Sequence, residues 1–139
     1  MKSPFEIILT NHTTVESLSA EFNQAFPFLK LGFFRVPHKK GETSALKTMY
    51  HHNEKIFTIS KVHGARHIIF NKGMKVFELE EFFEREYGLN VQVFRKSGSV
   101  WLETSATDDW TLEDENEAGK SMQATISEKG ENFEDLDVE

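Results

Sequence analysis

Five of the six histidines fall between residues 38 and 67: His38, His51, His52, His63 and His67. In His63-Gly-Ala-Arg-His67 the spacing would put two imidazoles on one face of a helix, as a zinc site requires. Gly64 and the β-rich Ile68-Ile69-Phe70 argue against a helix there, and no Glu stands between the two histidines as a general base. An enzyme built on His63 or His67 would need a bound metal or a concave pocket at that place. Asp108 and Asp109, with Glu103 and Glu113 nearby, suggest a carboxylate pair, but adjacent acids in an extended segment point in opposite directions. The simpler role is capping, with Asp109 or Thr111 opening a short helix over Leu112–Ala118 and Asp114 at capping distance from Thr111.

The 139 residues contain no Cys, which excludes thiol nucleophiles, redox CxxC chemistry, disulfides and Cys-based zinc sites. No GxxxxGK[ST], GxGxxG or GxSxG pattern occurs, and no nucleophile stands beside a base. The expectation is therefore a non-enzymatic protein without metal or cofactor. The longest apolar stretch near the start, Ile7-Ile8-Leu9, is far too short for a leader or a membrane span, so the expected address is the cytoplasm, with no membrane partner.

Two helices must position whatever these side chains do. Val15, Leu18, Phe22 and Phe26 recur at helical spacing behind a capping-box pattern at Thr13 and Glu16, and Pro27 ends the run before a strand at Phe28–Val36. Val76, Leu79, Phe83 and Tyr87 repeat the pattern, with Gly88 as C-cap and a strand at Leu89–Arg95. The two sets superpose, and after a one-residue slip Leu29, Leu31, Phe33, Phe34 and Arg35 fall on Leu89, Val91, Val93, Phe94 and Arg95. β-like runs at Phe5–Leu9 and His67–Phe70 precede the helices and complete two β-α-β units.

This reads as an α+β chain, a ferredoxin-like β-α-β-β-α-β sandwich with possible internal duplication; a β-grasp fold is the alternative. Lys96-Ser97-Gly98-Ser99 turns into an extra C-terminal hairpin strand, Val100–Thr104. Gly41–Val62 is too long for a hairpin, and Ile56, Ile59 and Val62 could form an extra helical turn. Residues 1–119 make one domain and 120–139 an acidic, disordered tail.

With a two-residue turn at Ser97-Gly98, Phe94 pairs with Trp101 and Val93 with Leu102. Val91, Val93, Val100 and Leu102 then face the core. Phe34, Phe94 and Trp101 share the other face with Asn90, Gln92 and Glu103. Such a face binds a partner, or is covered by residues 41–62, by Asp108–Trp110 or by a second copy in a homodimer.

Charge is unevenly placed. The net charge is −7, yet residues 112–139 hold ten acids and two bases, a local −8, while residues 30–75 hold ten Lys or Arg against Glu42 and Glu54, a local +8. A basic middle gated by an acidic tail would suit nucleic acid through Arg35, Lys39, Lys40, Lys47 and Arg66.

The segments GLNVQVFRKSGSVWLETSATDDWTLEDEN from Gly88 and TVESLSAEFNQAFPFLKLGFF near the start resemble a family of small uncharacterised bacterial proteins. The resemblance implies a bacterial cytosolic protein and carries no activity or catalytic residue. The expected function is a small binding or adaptor domain contacting a protein partner through Phe34, Phe94 and Trp101 with Arg95, Lys96 and Trp110; nucleic-acid binding through the basic middle is the alternative.

Overall fold

A computed structural model describes residues 4–37 and 46–137, with side chains as far as Ile126. Strand β1 (Phe5–Leu9), helix α1 (Val15–Ala25) and strand β2 (Leu29–Phe34) form the first unit. After a 3-10 turn at Leu46–Thr48 and the short helix α2 (Ile56–Ile59), the second unit is β3 (Arg66–Phe70), α3 (Val76–Tyr87) and β4 (Asn90–Ser97). Strand β5 (Val100–Glu103), a turn at Ser105–Thr107 and helix α4 (Leu112–Asp137) follow. Among the described residues the architecture is mixed α+β with two antiparallel sheets and four helices.

The helices start where local chemistry lets them. Thr14 rather than Thr13 caps α1: its hydroxyl accepts the Ser17 N–H at 3.0 Å while the Ser17 hydroxyl accepts the Thr14 N–H at 2.8 Å. The Thr13 hydroxyl instead accepts the Thr10 N–H at 2.9 Å, closing the preceding turn. Gly88 ends α3 at φ 67°, a left-handed conformation that costs glycine little. Thr111 caps α4 by accepting the Asp114 N–H at 3.0 Å. That helix continues past Ala118 to Asp137.

Strand pairing differs from the single four-stranded sheet of a ferredoxin-like sandwich. β1 pairs with β3 in a two-stranded sheet, and β2, β4 and β5 make a second sheet in that order. Apolar periodicity tells which face of a strand is buried; it does not tell which neighbour the strand takes. In both sheets a strand of the first unit pairs antiparallel with its equivalent in the second.

A pseudo-two-fold axis follows from the registers. Equivalent residues oppose each other at Ile7 and Ile68 in one sheet and at Gly32 and Gln92 in the other. Backbone hydrogen bonds outside the sheets repeat in the same way. Val15 and Glu16 donate to the Glu54 and His52 carbonyls, as Val76 and Phe77 donate to those of Trp110 and Asp108. Ile56 donates to Thr13 as Leu112 does to Met74, and Tyr50 to Phe33 as Thr104 does to Val93. The first turn of α4 is thus the counterpart of α2, and Tyr50 is the counterpart of Thr104, just past the end of β5.

One core holds the two units together. Ile7, Leu9, Ile68 and Phe70 of the smaller sheet join Leu31, Phe33, Val91 and Val93 of the larger, with Leu18, Phe22, Leu79 and Phe83 from α1 and α3. Phenyl rings bridge the halves: Phe70 lies 5.8 Å from Phe22 and 6.1 Å from Phe83, centre to centre. Each fully buried Phe contributes about 1.5–3 kcal/mol.

The hairpin register is shifted by two residues from the one expected. Phe94 opposes Glu103, Lys96 opposes Trp101 and Ser97 opposes Val100, so the turn is Gly98-Ser99, with Gly98 at φ 64°. A slip of two preserves the faces, and Phe94 and Trp101 remain on the same side. Val100 and Leu102 do share the core-side face, but they are 53% and 45% exposed rather than core, because β5 is an edge strand and α4 packs on β4 and β2 instead.

Candidate binding groove

On the face of the larger sheet turned away from the core, β2 contributes Lys30, Gly32 and Phe34 and β4 contributes Asn90, Gln92 and Phe94. Phe34 and Phe94 stack with centres 6.4 Å apart and are almost wholly buried. The cover is the chain just after the first 3-10 turn. Met49 bridges to Phe34, and the Tyr50 N–H donates to the Phe33 carbonyl at 2.7 Å. The aromatic face is therefore partly closed by the segment 46–50, and Phe34 lies beneath it.

What remains open is a groove of about 470 Å³ between α1 and the sheet. Gly32 is its floor: a Cβ there would come within 2.7 Å of the Phe94 ring and 3.2 Å of Met49. Trp101, Phe94, Met49 and Tyr50 line one side, and Glu16, Ser19 and Asn23 of α1 line the other, with His52 at one end. Such a volume with mostly apolar walls and a few polar groups is what a side chain or short segment of a ligand requires.

Lys30 crosses this groove. Its ammonium lies 4.8 Å from the centre of the Trp101 ring and 5.8 Å from that of Phe94. Burial lowers its pKa from the ordinary lysine value, since the charged form loses water. The rings return part of that loss as a cation–π attraction. Among the described residues no carboxylate forms an ion pair with it. Lys96, one strand across, holds its ammonium 5.9 Å from the same Trp101 ring.

Arg95 points to the opposite side of the sheet. Its guanidinium donates to Glu115 Oε1 at 2.9 Å, and Glu115 is fully buried. The Thr107 hydroxyl also donates to this carboxylate. Burial pushes the Glu115 pKa up, against the downward pull of the Thr107 hydrogen bond and the Arg95 charge. The Trp110 ring lies 5.9 Å from Arg95 on that side, 42% exposed. The structure thus brings Phe94, Trp101 and Lys96 together, places Phe34 below them, and separates Arg95 and Trp110 from the group.

Of the described basic residues expected for nucleic acid, Arg35 and Lys47 lie near one another and Arg66 apart from them. The Arg35 guanidinium covers the Tyr50 ring at 4.8 Å and donates to the Met49 carbonyl, and Lys47 sits in the turn just before. Arg66 is on β3 opposite Leu9, in the other sheet. Lys39 and Lys40 lie outside the described residues. His38 lies outside the described residues; of the others, His63 Nδ1 contacts the Phe57 carbonyl at 2.8 Å, His67 pairs with Glu6, and the His51 and His52 rings pack 4.4 Å apart. Among the described residues no three His, Asp or Glu side chains group as metal ligands. Asp108 is buried, and its carbonyl accepts the Phe77 N–H at 2.9 Å.

Lys30, Gly32 and Ser19 were not reached from sequence. Gly32 alone carried a signal, since a glycine inside a strand marks a close approach. No protein-family model matches the chain, and neither a curated protein nor a solved structure is detectably similar to it.

Proposed function

We propose that the protein is a small non-enzymatic binding module of the cytosol that takes a segment of a partner protein in the groove beside Trp101. The observation that carries this reading is the groove itself: an apolar channel floored by Gly32, walled by Phe94 and Trp101, and crossed by a half-buried ammonium that no carboxylate pairs among the described residues. A partly exposed aromatic anchor in a recess with a neighbouring cation is the usual make-up of an interface hot spot. Trp110, on the far side of the sheet, supplies an internal control.

The test is affinity capture from nuclease-treated lysate with the full chain, Trp101→Ala and Trp110→Ala. A partner retained by wild type and Trp110→Ala and released by Trp101→Ala supports the reading; equal retention by all three removes it. A second reading, single-stranded nucleic acid, draws on the two lysines flanking Trp101, because base stacking beside phosphate-binding cations uses that arrangement. It requires capture that nuclease abolishes and that falls steeply with salt.

A further inference from the structure

The two halves differ beside the groove. In the second half, Glu80 of α3 turns its carboxylate onto the edge of β4: Oε2 accepts the Val93 N–H at 3.1 Å and the Gln92 Nε2 at 3.4 Å. Gln92 Nε2 and the Thr104 hydroxyl both donate to the Val93 carbonyl, at 3.0 and 2.9 Å. The position is filled and internally satisfied. Under the pseudo-two-fold, Ser19 stands for Glu80, Gly32 for Gln92, Phe33 for Val93 and Tyr50 for Thr104. These four first-half residues all line the groove.

Ser19 is too short to replace Glu80, and its hydroxyl is committed elsewhere, donating to the Leu31 carbonyl at 3.1 Å and accepting the Leu31 N–H at 3.3 Å. Gly32 has no side chain to match Gln92; the Phe94 ring and Met49 pack over it instead, at 2.7 and 3.2 Å from where its Cβ would stand. The Phe33 carbonyl is taken by Tyr50. Leu31 turns its N–H out of the sheet to Ser19, so two residues on the Phe33 N–H also points away from β4, off the free edge of β2, where among the described residues no backbone carbonyl meets it; it is the counterpart of the Val93 N–H that Glu80 binds. A buried N–H without an acceptor costs about 1–3 kcal/mol, so a ligand that supplies one gains that much. Glu16 lines the same groove and makes no ion pair with Lys30.

We propose that the groove is a carboxylate receptor: it takes the side chain of a Glu or Asp in an acidic peptide with apolar neighbours, the carboxylate accepting from the Phe33 N–H and facing the Lys30 ammonium. Glu80 is the template for that carboxylate, built into the other half of the same chain. The flanking apolar side chains of the peptide lie against Trp101 and Met49. This rests on the groove being a binding site and names what it binds.

The test is an amide-shift titration of the full-length, isotope-labelled protein with acetyl-Leu-Glu-Leu-amide and with acetyl-Leu-Gln-Leu-amide. The acidic peptide shifts the Phe33 and Gly32 amides and binds about tenfold or more tightly than its amide counterpart, the worth of a charge-assisted hydrogen bond. Ser19→Glu, which supplies the missing carboxylate from within, shifts the Phe33 amide without peptide and blocks binding; Lys30→Gln, which leaves the helix untouched, weakens it. Equal binding of the two peptides overturns the carboxylate assignment and leaves the groove reading standing. No shift with either peptide, or a shift at these amides only with oligothymidylate, also overturns it, and capture with Trp101→Ala decides the groove reading separately.

Discussion

The pair that fastens the start of α4 to the sheet is Arg95 and Glu115, and its strength depends on pH in a definite direction. Glu115 binds its proton more tightly in the folded protein than in the unfolded chain, because burial outweighs the help of Thr107 and Arg95. Its contribution to stability is therefore complete below the ordinary carboxyl range and declines as pH rises through the raised folded pKa. Arg95→Ala removes one of the two groups pulling that pKa down. The folded pKa climbs further, so the penalty is small near about pH 4 and grows to about 3 kcal/mol near pH 7, the usual cost of leaving a buried charge unpaired. Urea unfolding at both pH values measures it, and a penalty that does not change with pH contradicts the account. None of this was legible in the sequence, where Arg95 had Asp108 and Asp109 as nearer acidic neighbours.

Among the elements, α1 and α3 were legible because their buried positions are Val, Leu, Phe and Tyr, and aliphatic and aromatic residues at helical spacing announce a core-facing stripe. Helix α4 keeps the same spacing with other residue types. Its buried positions are Leu112, Glu115, Asn116 and Gly119, so a count of apolar residues finds a single one. The polar members are satisfied by the sheet: Asn116 Oδ1 accepts the Phe28 N–H at 2.9 Å, and Glu115 takes Arg95. Gly119 is the contact point, where a Cβ would meet the Phe28 Cβ at 2.7 Å and its carbonyl oxygen at 3.4 Å. Gly119→Ala gains about 1 kcal/mol in helix propensity but costs about 1–3 kcal/mol in displaced packing. The expected result is a net loss of stability in urea unfolding, together with weaker near-neighbour contacts to Phe28; a gain would mean that α4 stands off the sheet.

For the whole molecule, the two similar units could be aligned from sequence, but their interleaving could not, since β1 takes β3 and β2 takes β4 as partners across the halves. Neither half owns a sheet of its own. The two must then open together, and amide exchange of Ile7, Gly32, Ile68 and Gln92 in mild denaturant should follow one opening free energy; two separate isotherms would mean that the halves are independent. The aromatic platform of Phe94 and Trp101 was legible despite the misplaced turn, because side-chain parity survives a slip of two. The groove was not, since its open floor depends on Met49 and Tyr50 crossing over from a long connection and on Gly32 where the other half has Gln92. The chain has no Cys, and Met49 lines the groove and is 37% exposed, so Met49→Cys offers a single attachment point there. The most direct measurement is partner capture by Met49→Cys before and after coupling to a bulky maleimide, with Ala65→Cys, at an exposed position outside the groove, as control. The account predicts that the adduct at position 49 releases the partner while the adduct at position 65 retains it. Retention by both would contradict the assignment of function to this groove.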